Sequence, residues 1–171
     1  MSKSYNMAGW RVGFCSGNAE MVKALATIKG YYDYGIFAPI QIASVIAMRE
    51  CVQTPEQQSA FYQERRDEVC RGLDKLGWTY DKPSASMFVW ARINPEHYQE
   101  GEGTIEFCLR MMDEAEVALA PGRAFGEHGE GYVRIALVEN EQRLRQAMRN
   151  LERALVPKPP KRPKREKVGT E

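Results

Sequence analysis

The sequence predicts an α/β protein in two parts, a mostly helical part with one buried strand and then a small α/β layer packed on one sheet. Three observations lead there. Residues 54–76 carry the start and stop signals of one long helix, and after Gly77 the pattern becomes strand, helix, strand, strand, helix. The 43% apolar share is that of an ordinary folded chain, which makes disorder of the 171-residue body an unneeded assumption. The boundary is placed inside the long helix near residue 70, giving a first part over 1–70, a second over 71–156 and a tail over 157–171.

Each element has its own signal. The run WRVGFCS at 10–16 is apolar and glycine-bounded, which suits a buried strand. Asn18 caps a helix through about Lys29, with Met21, Leu25 and Ile28 on one face, and Tyr31-Tyr32-Asp33-Tyr34-Gly35 breaks it. Pro39 opens a second helix supported by Ile40, Ala43, Ala47 and Val52. Thr54-Pro55-Glu56-Gln57 places a capping residue, a proline at the first helical position and a glutamine three residues on; the helix stops at Gly77. Its many polar residues imply one exposed face. Beyond it, 87–93, 117–120 and 132–138 read as strands, 104–114 as a helix, and Asn140 caps a final helix to about Leu155.

Composition narrows the function classes. No long charge-free apolar stretch exists for a membrane span, and the first residues lack the apolar centre of a secretory signal, so a cytoplasmic protein is expected. Cys15, Cys51, Cys70 and Cys108 are far apart with no histidine at a ligand-like interval, so they read as reduced thiols in or near the core, with no metal site. His97 and His128 read as loop residues, and so does the glycine-flanked group Glu127, His128 and Glu130, a mobile loop. The methionines, Met111 and Met112 among them, read as core filler. Six of the 24 Lys and Arg residues fall in 156–171, which leaves the body slightly acidic and without a nucleic-acid footprint. The tail itself, PKPPKRPKREK, is expected to be disordered.

The chemistry concentrates in residues 2–14, SKSYNMAGWRVGF. A lysine that bonds to a carbonyl carbon must present a neutral amine, which desolvation and a nearby cation favour. Arg11 is such a cation, and its fork also suits a phosphate dianion. Gly9 and Gly13 flank it, and Ser2 and Ser4 offer hydroxyl donors. Taken alone, Lys3 reads as a solvated terminal charge, and only the residues around it together point to chemistry. A second candidate is Arg134 in YVRIALV at 132–138. Alternation puts Val133, Ile135 and Leu137 on one face and Tyr132, Arg134 and Ala136 on the other. Arg134 is then either a solvated charge or a buried guanidinium awaiting an anion.

Together these residues resemble the signature of class I and II aminotransferases, S-x-S-K followed by G-x-R-x-G, with Lys3 and Arg11 at that family's eight-residue spacing. The resemblance covers nearly all of 2–155. YDYGIFAPIQ at 32–41 is similar to the family's interface loop, ASMFVWA at 85–91 to the first strand of its small domain, and PGRAFG at 121–126 to the turn before its substrate arginine. It implies pyridoxal 5'-phosphate as cofactor and a fold comprising the end of the large domain of such transferases plus the α/β C-terminal small domain. It implies that Lys3 carries the cofactor and moves the proton between substrate Cα and cofactor C4′, that Arg11 and Ser2 hold the phosphate, and that Arg134 receives the substrate carboxylate. It further implies amino-acid and 2-oxo-acid substrates, a place in amino-acid metabolism and a homodimer for the full-length parent.

In the family, residues before the lysine supply an aspartate for the pyridine nitrogen, a stacking ring and most of the phosphate cup. The chain is therefore expected to be the C-terminal portion of a longer enzyme, binding the cofactor weakly or not at all by itself. Within the class, YDYGIFAPIQ and YVRIALVEN are most similar to alanine-forming, glutamate–pyruvate aminotransferases, with diaminopimelate aminotransferases close by. Two alternatives stand beside this: a pyridoxal-phosphate carbon–sulfur β-lyase, which shares the lysine and arginine, and a non-catalytic fragment that binds a partner through the small domain and basic tail. The tyrosines 31, 32 and 34 suit either a partner's site or plain packing.

Overall fold

The computed structural model describes residues 1–155, and these divide into two compact units. Residues 1–64 with 85–87 form the first; 65–84 with the chain from Phe88 onward form the second. The expected disordered tail over 157–171 lies outside the described residues.

The first unit is helical. Helix α1 spans Ala19–Asp33, α2 spans Ala38–Glu50, and the long α3, Thr54–Leu76, begins here. Asn18 caps α1 as its side-chain type predicts: Oδ1 accepts from the backbone N–H of Glu20 (3.0 Å) and Met21 (3.2 Å). The helix runs one turn past Lys29, because the Lys29–Asp33 ion pair spans its last turn and the chain leaves only through the left-handed Tyr34 (φ 55°) and Gly35 (φ 119°). Pro39 sits in the first turn of α2, where its missing N–H leaves no gap.

The strand expected at 10–16 does not form. Trp10 ends a one-turn 3₁₀ helix, Ala8–Trp10, Arg11 follows with φ 52°, and residues 12–16 belong to no element. A strand exists only through a hydrogen-bonded neighbour, and no strand of the described residues pairs with this run. Its apolar side chains accordingly stay outside: Phe14 is 72% exposed. Likewise Met21, Leu25 and Ile28 line one face of α1 as predicted, but that face is exposed. The expectation that all four cysteines lie in or near the core is also corrected, since Cys15 and Cys51 are exposed. Cys70 and Cys108 are buried, and burial pushes the Cys108 thiol up to about 11.

The second unit is a four-stranded antiparallel sheet with helices on one face. Its strands are β1 (Thr79–Tyr80), β2 (Phe88–Arg92), β3 (Ala120–Pro121) and β4 (Tyr132–Ala136), in the order β1-β2-β4-β3. Helices α4 (Thr104–Ala115) and α5 (Glu141–Leu155) complete it. Val89, Ala91, Val133 and Ile135 point inward and meet Val69 and Leu73 of α3, Phe107 and Met111 of α4, and Leu144, Met148 and Leu151 of α5 in one buried core. Met111 fills it as expected, whereas Met112 faces outward. The end of α3 follows from Gly77: at φ 66° it lets Trp78 N–H reach Leu73 C=O and its own N–H reach Asp74 C=O, closing the helix with the two bonds of a Schellman turn. Strand β3 is shorter and later than predicted. The left-handed Glu116 (φ 55°) and the Val117 N–H bond to Met111 C=O spend residues 116 and 117 on ending α4.

One ion pair inside this unit is protected from water. The Arg110 fork meets Glu102 through Nε–Oε1 (2.7 Å) and Nη2–Oε2 (2.8 Å), with the two side chains 14% and 7% exposed, and Nη2 also donates to His97 C=O (2.7 Å). The guanidinium holds the Glu102 carboxyl below the usual carboxylate range. Glu102→Gln is expected to cost about 3 kcal/mol at pH 7, by urea unfolding followed by circular dichroism. Because the folded carboxyl titrates lower than the unfolded one at about 4.5, the stabilisation is complete above that value and fades as pH falls through the folded one. Wild type and variant should therefore converge in acid.

Candidate active site

Arg134 lies on the sheet face opposite the core. On β4 the inward residues are Val133 and Ile135, so Tyr132, Arg134 and Ala136 look outward, beside Phe88, Trp90 and Arg92 of β2. The Arg134 Cζ is 4.4 Å from the Phe88 ring centroid and 4.3 Å from that of Phe125. Its Nε is buried and has no hydrogen-bond partner. A buried donor left unpaired on a half-buried cation costs about 1–3 kcal/mol unless an acceptor arrives, so the arrangement is suited to an anion. Arg134 is thus half-buried, with its Nε out of water and the side chain against two rings.

The turn after β3 supplies Phe125. Residues Gly122–Phe125 form a 3₁₀ turn, and Gly122 is pressed against Gly129 of the next one, Glu127–Gly129. A Cβ on Gly122 would overlap the Gly129 carbonyl, lie 2.6 Å from the Tyr132 carbonyl oxygen and 3.0 Å from the Trp90 ring. The first two obstacles are backbone and cannot swing away. Gly122→Ala is expected to destabilise the second unit by roughly 3 kcal/mol in thermal unfolding.

The segment expected to be mobile around Glu130 is instead tied down. Glu130 Oε1 accepts from the N–H (2.8 Å) and hydroxyl (2.6 Å) of Thr104 at the start of α4, and that fully buried hydroxyl accepts from Gly131 N–H (2.7 Å). The Thr104 hydroxyl holds the Glu130 carboxyl below its usual range. This is a helix-capping role, which sequence reading missed because the partners are 26 residues apart. His97 is half-buried and its Nδ1 accepts from Trp78 Nε1–H at 2.8 Å; burial holds it below the usual imidazole range. His128 is exposed.

The lysine segment lies in the first unit. Ser2 and Lys3 belong to a turned stretch in which Asn6 N–H reaches Lys3 C=O, and Lys3 is exposed. Arg11 is exposed too, its Nη1 donating to Ala8 C=O at 3.1 Å. A Cβ built on Gly9 or Gly13 meets nothing within 4 Å, so both glycines border open space. The tyrosines 31, 32 and 34 are 84, 88 and 93% exposed.

Residues 1–151 match the family described as aminotransferase class I and II. The chain belongs to that family. Among curated aminotransferases it is 47% identical to glutamate-pyruvate aminotransferase AlaC of Escherichia coli strain K12, over 88% of this chain and 36% of the relative. It is 37% identical to the LL-diaminopimelate aminotransferase of Moorella thermoacetica, over 91% of this chain and 38% of the relative. The chain thus spans little more than a third of the length of these relatives. Among solved structures it superposes with a TM-score of 0.81 on an aminotransferase from Staphylococcus aureus, 32% identical, over 91% of this chain and 41% of that one. The apo structure of BacF from Bacillus subtilis gives 0.81 at 30% identity, over 91% and 39%. The fold is therefore that of this aminotransferase family, as the sequence predicted. The family implies pyridoxal phosphate, and the donor set at 2–11 fits its phosphate: one exposed guanidinium, serine hydroxyls and open backbone. No helix among the described residues is long and apolar enough to cross a membrane.

Proposed function

We propose that this chain carries the lysine segment and the small domain of a pyridoxal-phosphate-dependent aminotransferase, which moves an amino group between an L-amino acid and a 2-oxo acid. The observation that carries the reading is Arg134, a cation held against two rings with a buried donor left for an oxyanion. An α-carboxylate is common to both substrate classes and matches a guanidinium fork. Arg134 binds that carboxylate and fixes the orientation of Cα. Lys3 takes the proton from Cα and returns it at the other carbon. Arg11 holds the cofactor phosphate, with the Ser2 hydroxyl as a further donor. When bound, pyridoxal phosphate supplies the electron sink for the charge left at Cα.

Residues up to the middle of α3 act in this reading as the end of the cofactor-binding domain, and the rest as the small domain. The exposed apolar faces of α1 and α2 support further protein packed against them, the rest of a longer chain or the second subunit of a homodimer. Alanine with 2-oxoglutarate is the first substrate pair to test, since the E. coli relative's name pairs glutamate with pyruvate.

A chimera tests the proposal. Residues 1–155 replace the matching segment of the E. coli relative, and alanine–2-oxoglutarate transamination is measured. Turnover within about tenfold of the parent enzyme is expected. A folded, cofactor-loaded chimera with no turnover would overturn the reading.

A further inference from the structure

The guanidinium of Arg134 does not hold its place through hydrogen bonds at Nε, which has none. What surrounds it is a line of rings. Phe88 and Phe125 lie 4.4 and 4.3 Å from its Cζ. Trp90 meets Phe125 edge-on at 5.8 Å and 75°, and stacks on Tyr132 at 5.7 Å and 17°. Arg92 covers the Tyr132 ring from 5.9 Å. Behind Phe125, the contact between Gly122 and Gly129 fixes the turn that carries it.

Resting on the carboxylate role of Arg134 given above, we propose that Phe88 and Phe125 are positioning residues for the substrate carboxylate, with Trp90 bracing Phe125. A ring face attracts a guanidinium through its quadrupole while offering no oxygen to its N–H groups. An acidic partner would hold the arginine equally well but would compete with the substrate for the same donors. Two phenyl rings therefore restrict the side chain, its Nε being kept from water, and leave its hydrogen-bonding capacity for the ligand. Preorganisation of this kind lowers the ordering cost at the moment of binding. Phe125 is half exposed (51%), more than core packing alone requires of a phenyl ring.

The test reads Arg134 directly on the full 171-residue chain, by the ¹⁵N–¹H Nε resonance, assigned by its loss in Arg134→Lys. Propionate is titrated into wild type, Phe125→Leu, Phe88→Leu and Phe125→Tyr, with thermal unfolding of each variant to establish that it is folded. Wild type should show a solvent-protected Nε–H that shifts on titration. Each leucine variant keeps an apolar side chain but loses the π face, so propionate should bind about tenfold more weakly and Nε–H exchange should quicken. Phe125→Tyr retains the face and should bind as wild type does. Leucine variants that are folded and bind propionate like wild type would overturn the positioning role while leaving Arg134 as the receptor. A wild-type resonance indifferent to propionate would instead remove the carboxylate role of Arg134, and this proposal with it.

Discussion

Lys3→Ala in the chimera is expected to lower turnover by at least about 10⁴-fold, the combined contribution of a covalent nucleophile and a positioned base. No neighbour can substitute. Arg11 is a permanent cation, and Ser2 and Ser4 are far weaker bases than an amine. The measurement that isolates the step is loss of deuterium from Cα of labelled alanine into water. It should stop in Lys3→Ala, and added methylamine should restore part of it by supplying the missing amine. Lys3→Arg should be as inactive as the alanine variant, because a guanidinium keeps its proton. Unimpaired α-deuterium loss in folded Lys3→Ala would remove Lys3 from the reaction.

Arg134→Ala comes second, with an expected loss of about 10³-fold in kcat/KM, roughly 4 kcal/mol, as befits breaking a desolvated, bidentate charge pair. Arg134→Lys should recover only a small part, since a point charge cannot reproduce the fork. Stability should move differently. Removing Arg134 loses its contact with Phe88 and Phe125 but also removes the unsatisfied Nε, so thermal unfolding should change by no more than about 1 kcal/mol. A large loss of stability with kcat/KM preserved would make Arg134 a structural residue.

Both residues were candidates in the sequence, for different reasons. Lys3 and Arg11 stood out through a fixed local spacing that a linear reading registers. Arg134 was ambiguous: alternation placed it opposite the core, and only the strand register brought Phe88, two residues along β2 from its partner Trp90, against it. Phe125 reaches the same guanidinium from a turn whose path depends on Gly122 meeting Gly129. Glu130 looked like part of a loose acidic loop until Thr104, distant in sequence, proved to be its partner.

The secondary-structure reading divides in the same way. Caps, helix stops and periodicity act over a few residues, so Asn18, Pro39, Gly77 and Asn140 marked their helix ends without any tertiary information. Strands draw their stability from neighbours. The run at 10–16 has strand composition but no partner among the described residues and stays irregular, whereas Thr79 and Tyr80, too short to show alternation, pair with Arg92 and Ala91. The sequence by itself therefore determined the family and the helices, because local spacing encodes them, and it supplied the candidates for the reactive groups. Tertiary structure alone decided which apolar residues are buried and what surrounds Arg134, because burial and unpaired donors are properties of residues brought together across the chain.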